Sequence, residues 1–163
     1  MVPNSPVLHF FHLLGLCIAL GGPLFFNFIL YPSLKFLPEK KERHLLLAQL
    51  IRYYHPFFLG GLCLIFLSGA FRLTDLKEGL GGSYFDQVGG LLMFKFGMTL
   101  LIFNTACMQA IGTGLKYGRM VMGVIPGDEA TIDRYAKKIW RVSLINLLLI
   151  AGTVVGIFFI SRR

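Results

Sequence analysis

Charge is what this sequence has least of. Lys, Arg, Asp and Glu make up 15% of its 163 residues, where a typical soluble domain carries about 25%. So few ionised groups cannot coat the surface of a soluble fold of this length, which excludes an ordinary soluble domain. Acid is scarcer than base, with eight Asp and Glu against sixteen Lys and Arg, and all eight acids fall in the connections between apolar runs. Cysteine is limited to Cys17, Cys63 and Cys107, standing singly and without CxxC spacing. That pattern argues against a disulfide framework or thiolate cluster and reads as small packing residues. GxxxxGK(S/T), HExxH and GxSxG are all absent, so neither a phosphate loop nor a hydrolytic signature is present.

What the chain has instead is long apolar runs, at about 7–31, 54–73, 89–111 and 140–160. Each approaches or exceeds the ~20 residues that carry a helix across a ~30 Å hydrocarbon layer. The expected fold is all-α: one integral membrane four-helix bundle over residues 1–163. The first run lacks a basic leader and is too long for a signal-peptide core, so it is expected to stay as a span. Pro32 marks its exit, and Pro38 opens a short helix leading into the second span. Pro56, early in that span, predicts a kink or a fresh helix start.

The net charge of +8 is unevenly placed. Lys35, Lys40, Lys41, Arg43 and Arg52 lie in or beside the first connection, and Lys116, Arg119, Arg134, Lys137, Lys138 and Arg141 in or beside the third. The second has Arg72 and Lys77 diluted by Asp75, Glu78 and Asp86. The positive-inside rule then puts connections one and three in the cytoplasm and both termini on the outer side, with Arg162 and Arg163 a small dissent. Contact with anionic lipid headgroups accounts for the basicity without nucleic acid. The expected location is a bacterial cytoplasmic (inner) membrane, multi-pass.

Polar groups inside such runs are costly and therefore informative. His9 and His12 share a face of the first helix, and Lys95 lies at a similar depth in the third, about six residues from the outer side. No acid of this chain is available that deep. A bound anion such as a heme propionate, a metal, or snorkelling to the interface would each settle the lysine. His55 starts the second span at the opposite surface, where Tyr31, Arg141 and Asn146 can join it in an inner polar cluster. Gly15 and Gly22, with Ala19 between them, offer close helix approach or room for a flat cofactor. His12 and His55 are the candidate metal ligands. Heme suits an imidazole in an apolar interhelical cavity. Copper is the alternative, with Met93 and Met98 nearby as soft donors.

Phe11-His12-Leu13-Leu14-Gly15 followed by Gly21-Gly22-Pro23-Leu24-Phe25 resembles the first helix of the HemJ and CopD families of small membrane proteins. Leu92-Met93-Phe94-Lys95-Phe96-Gly97 is similar to their third-helix start, and Trp140-Arg141 with Asn146 to the HemJ fourth helix. The resemblance covers four helices. It implies heme b, protoporphyrinogen IX oxidase activity for a HemJ-type protein, or copper uptake for a CopD-type one. His12 and Lys95 match the positions tied to function, His12 as axial ligand and Lys95 as opposing ligand or propionate anchor. Two departures stand out. The tryptophan of the first helix is replaced within Cys17-Ile18-Ala19-Leu20, and the late histidine of the third is missing at Asn104-Thr105-Ala106. They bear on the oxidase activity more than on the fold.

The leading expectation is a membrane heme b redox protein, oxidising a porphyrinogen or relaying electrons, with quinone as a plausible acceptor. Copper handling, or a cofactor-free accessory subunit of a larger complex, are the alternatives. Expected partners are membrane lipids, quinone or porphyrin, and further protein as a homo-oligomer or larger membrane complex.

Overall fold

The computed structural model describes residues 6–160, and every regular element among them is helical. Helix α1 runs Pro6–Phe25, continues through a π-helical segment Phe26–Leu30 and Tyr31–Ser33, and closes in a 3-10 turn at Leu34–Phe36. Helix α2 is continuous over Lys40–Leu80. A 3-10 turn at Gly81–Ser83 leads to α3, which runs Tyr84–Cys107, a second π segment Met108–Gly114, and Leu115–Val121. Helix α4 spans Glu129–Ile160. The residues before Pro6, together with Arg162 and Arg163, lie outside the described residues, as do the side chains of Arg72, Asp75, Glu78, Tyr84, Phe85 and Asp86.

All four helices are long and apolar enough to cross a membrane, and only 11–28% of each apolar window is buried within the bundle. Phe10, Phe28, Phe57, Leu148 and Phe159 are exposed. Hydrocarbon accepts such a surface and water does not, which fits a multi-pass membrane protein. Each helix outruns its expected span, because hydropathy marks only the apolar part while backbone hydrogen bonding continues into the charged flanks. Pro56 makes no fresh start: α2 passes through it unbroken. Lacking an amide hydrogen, Pro56 leaves the Arg52 carbonyl without its helical donor.

Charged residues bracket three helices at matching lengths. The stretches 53–71, 96–115 and 142–160 carry no Lys, Arg, Asp or Glu and are 19 or 20 residues long. At 1.5 Å per residue they rise about 30 Å. Arg52, Lys116 and Arg141 bound them on one side. On that side Lys40 Nζ lies 2.9 Å from Glu129 Oε1, so α2 and α4 begin next to each other. Asp128, just before α4, accepts a hydrogen bond from the Thr131 side chain, which holds its carboxyl below the usual carboxylate range. Gly123 makes the preceding turn at φ 72°, and Gly81 turns between α2 and α3 at φ 55°. Both lie in the left-handed region that favours glycine.

Helices α1 and α3 each pack on α2 and α4, so they face one another across the bundle, and the α1–α2 seam is the most extensive. Gly15, Ala19 and Pro23 repeat every four residues along the buried side of α1. A Cβ on Gly15 would stand 2.9 Å from the Gly61 carbonyl oxygen, and one on Gly61 would stand 2.5 Å from Ile18 Cγ2. The two backbones therefore meet almost directly. Phe58, Leu62, Ile102 and Ile150 fill the middle of the bundle. Phe26, Leu47, Ile51, Tyr117 and Ile139 fill the end where α2 and α4 begin.

The seam gives a matched pair of tests. Gly61→Ala should destabilise the purified protein by about 1–3 kcal/mol through overpacking. A Cβ on Gly60 meets nothing within 4 Å, so thermal unfolding in detergent should show Gly60→Ala unchanged or slightly raised.

Candidate functional site

Three polar sites stand apart in the bundle. The first is at the end of the bundle holding the α2–α3 turn. His12 is half-buried, and its Nδ1 lies 2.9 Å from Ser68 Oγ on α2. The Ser68 hydroxyl directs its own proton at the Leu64 carbonyl. With its hydrogen on that carbonyl, Ser68 Oγ can accept from His12 in the tautomer that carries hydrogen on Nδ1. A Cβ on Gly69 would lie 3.8 Å from His12 Cε1, so a glycine borders the ring. Phe96 and Phe66 have ring centroids 5.9 Å apart, which levels α3 at Phe96 with α2 at Phe66. Phe66 is two residues, or about 3 Å, from Ser68. Lys95, half-buried beside Phe96, thus lies within about a turn of His12 in depth. His9 is exposed. Gly15 faces the backbone of α2, and a Cβ on Gly22 would meet the Tyr54 ring at 3.5 Å.

The second site is two buried polar groups, one on α3 and α4 toward mid-depth and one nearer the row of Arg52, Lys116 and Arg141. Asn146, fully buried, accepts from the Thr105 hydroxyl and donates through Nδ2 to Gln109 Oε1 at 3.1 Å. Gln109 Nε2 donates to the Ile139 carbonyl at 3.1 Å. Asn27 Nδ2 donates to the Pro23 carbonyl and to Ser143 Oγ, at 2.8 and 2.9 Å. Ser143 Oγ also lies 3.3 Å from the Tyr54 hydroxyl. Two of these carbonyl contacts border π segments: Asn27 reaches back to Pro23, and Thr113 donates to the Gln109 carbonyl at 2.7 Å. A π segment shifts the helical ladder, and nearby side chains re-satisfy the backbone.

The third is a groove of about 440 Å³ between α2 and α3, near the row of Arg52, Lys116 and Arg141. His55 lines it, 6% exposed, and its Nε2 is buried without a hydrogen-bond partner among the described residues. Gly114 makes room for the imidazole, since a Cβ there would stand 2.6 Å from Nδ1. Arg52 and Arg119, both exposed, line the same groove.

The inner cluster expected from sequence is dispersed. Tyr31 stacks on Trp140 at 5.6 Å, Arg141 is exposed, and Asn146 belongs to the mid-depth chain. Thirteen residues of α2 separate His55 from Ser68, the partner of His12, a rise of about 20 Å. The two histidines therefore cannot ligate one metal. Among the described residues, no group of three or more His, Cys, Asp or Glu side chains is placed to hold a metal ion.

Sequence reasoning passed over His44. Its Nε2 lies 3.0 Å from Asp133 Oδ1 and its Nδ1 lies 2.9 Å from the hydroxyl of Tyr117, which is fully buried. The available signal was Asp133 in the first turns of α4, an acid flanked by the core-facing Ile132 and Ala136. The groove had one too, in Gly114 and Gly118 at four-residue spacing.

Set against family models, curated proteins and solved structures, the chain finds no match. The fold and its sites define a four-helix bundle fit for a membrane, with three polar sites inside it.

The mid-depth chain predicts coupling. Asn146→Ala or Gln109→Ala should each cost about 1–2 kcal/mol, and the double variant less than the sum. Additive losses in a detergent unfolding cycle would show that the two amides act separately.

Proposed function

We propose that the protein is a heme b redox protein of a bacterial cytoplasmic membrane, both termini outside, of the HemJ/CopD kind. The observation carrying this reading is the oriented imidazole of His12. Ser68 supports the tautomer of His12 with hydrogen on Nδ1, the one in which a neutral imidazole binds a metal through Nε2. A second partner on the far ring nitrogen is the usual arrangement for a metal-bound histidine. Gly69 beside the ring and apolar helix faces around it suit a flat, apolar macrocycle. These residues fit heme.

His12 would hold the iron, and Ser68 would fix the tautomer and ring plane. Lys95, near that depth on the facing helix, would anchor a propionate or offer a second donor to the iron. Bound heme supplies an iron that exchanges one electron at a time. The protein's contribution is to exclude water and set the ligand field. The orientation rests on the basic first and third connections. A porphyrinogen as electron donor and quinone as acceptor complete the enzymatic version; a relay within a larger complex is the other.

Oxidised and dithionite-reduced absorption spectra of the detergent-purified protein test this. A Soret band and a reduced b-type α band are expected, lost in His12→Ala. Heme affinity should fall about 10-fold or more in Ser68→Ala, the usual effect of removing a ligand's supporting partner. A colourless protein that takes up no added heme would end the proposal.

A further inference from the structure

We infer that the α2–α3 groove is a binding site for an anionic phospholipid of the inner leaflet. The inference rests on the membrane placement above and is independent of heme.

Both walls change character together with depth. On α2, Arg52, His55 and Leu59 follow one another about a turn apart; on α3, Arg119, Gly114 and Ile111 run the same way in reverse order. From the mouth inward the groove presents guanidinium, then imidazole, then hydrocarbon, over about 10 Å. A phospholipid has the same order along its axis: phosphate, ester carbonyl, acyl chain. Arg52 belongs to the row of cations that bounds the charge-free stretches, and Arg119 lies about a turn beyond Lys116 of that row; both are exposed. There they would meet headgroups, and basic pockets between membrane helices on the cytoplasmic side favour anionic lipid.

His55 supplies the deeper argument. It is 6% exposed with a ring nitrogen that has no hydrogen-bond partner among the described residues. A buried polar group left so carries a penalty that a ligand can remove. An ester carbonyl one turn below a phosphate held by Arg52 would accept from the imidazole N–H. The rest of the groove, including Leu59, Ala110, Ile111 and Leu115, offers only apolar contact, suited to an acyl chain.

The test is native mass spectrometry of the detergent-purified chain titrated with dioleoyl phosphatidylglycerol or dioleoyl phosphatidylcholine. One-to-one phosphatidylglycerol adducts should be favoured. Arg52→Gln with Arg119→Gln should weaken them roughly 30-fold, about fivefold per arginine. Lys137→Gln, an exposed cation outside the groove, should leave them unchanged. A Cβ on Gly118 meets nothing within 4 Å, so Gly118→Leu fills the groove without disturbing the core and should reduce adducts of both lipids. Equal retention of the two lipids, or a preference that survives the double variant, would overturn the inference. So would competition by millimolar inorganic phosphate, which would mark a bare anion site, or a co-purifying quinone or heme displaced by Gly118→Leu. Adduct masses are read on coloured and colourless protein alike, so failure of the heme reading leaves this result standing.

Discussion

The contact of Gly15 on Gly61 sets the rest of the bundle. With no side chain between them, α1 and α2 approach until the Cβ position of one helix would overlap the other. Only at that separation does the His12 imidazole reach Ser68, thirteen residues along α2 from His55. The same approach brings the Tyr54 ring onto Phe26, with centroids 4.9 Å apart, while its hydroxyl lies 3.3 Å from Ser143 Oγ on α4. In lipid, apolar surface gives helices no reason to associate beyond close fit and hydrogen bonds. A seam of small residues supplies the fit, and the polar side chains spaced along it supply the bonds.

Polar groups inside the bundle follow the same logic. Asn27, Gln109 and Asn146 are each buried and hydrogen-bonded across helices, where an exposed amide would have faced hydrocarbon. Asn27 and Gln109 lie inside the π segments, which links irregular backbone to packing. A helix that widens by one residue per turn leaves carbonyls out of register, and an amide or hydroxyl nearby repairs them. The polar seam is thus as much a support for irregular backbone as a row of candidate ligands.

The four helices were legible because hydropathy is a property of composition, and the bilayer-length runs needed no knowledge of neighbours. Their ends were not, since helical bonding at Lys40 or Val121 persists where apolarity has stopped. The depth of His12 and Lys95 came from counting residues along helices, and the ring contact between Phe66 and Phe96 puts the two within about a turn. What counting along one helix cannot give is rotation about its axis. Arg141 and Asn146 looked like neighbours of His55, yet one turns outward and the other toward Gln109. The groove beside His55 arises from two glycines on a different helix, and the His44 contacts join three helices distant in sequence. Such features belong to the packed pair, not to either strand of text.

The matched charge-free stretches have a consequence for the membrane that can hold this protein. Three helices agree on a charge-free height near 30 Å, so in a bilayer the molecule would act as a ruler for one thickness. A sterol-rich membrane a few ångströms thicker would draw the rows of arginine and lysine toward hydrocarbon. The resulting mismatch costs a fraction of a kcal/mol per Å, relieved by tilt or by local thinning of the lipid. Because all three helices would be mismatched together, tilting any one alone brings no relief, and the bundle must lean or sort as a unit.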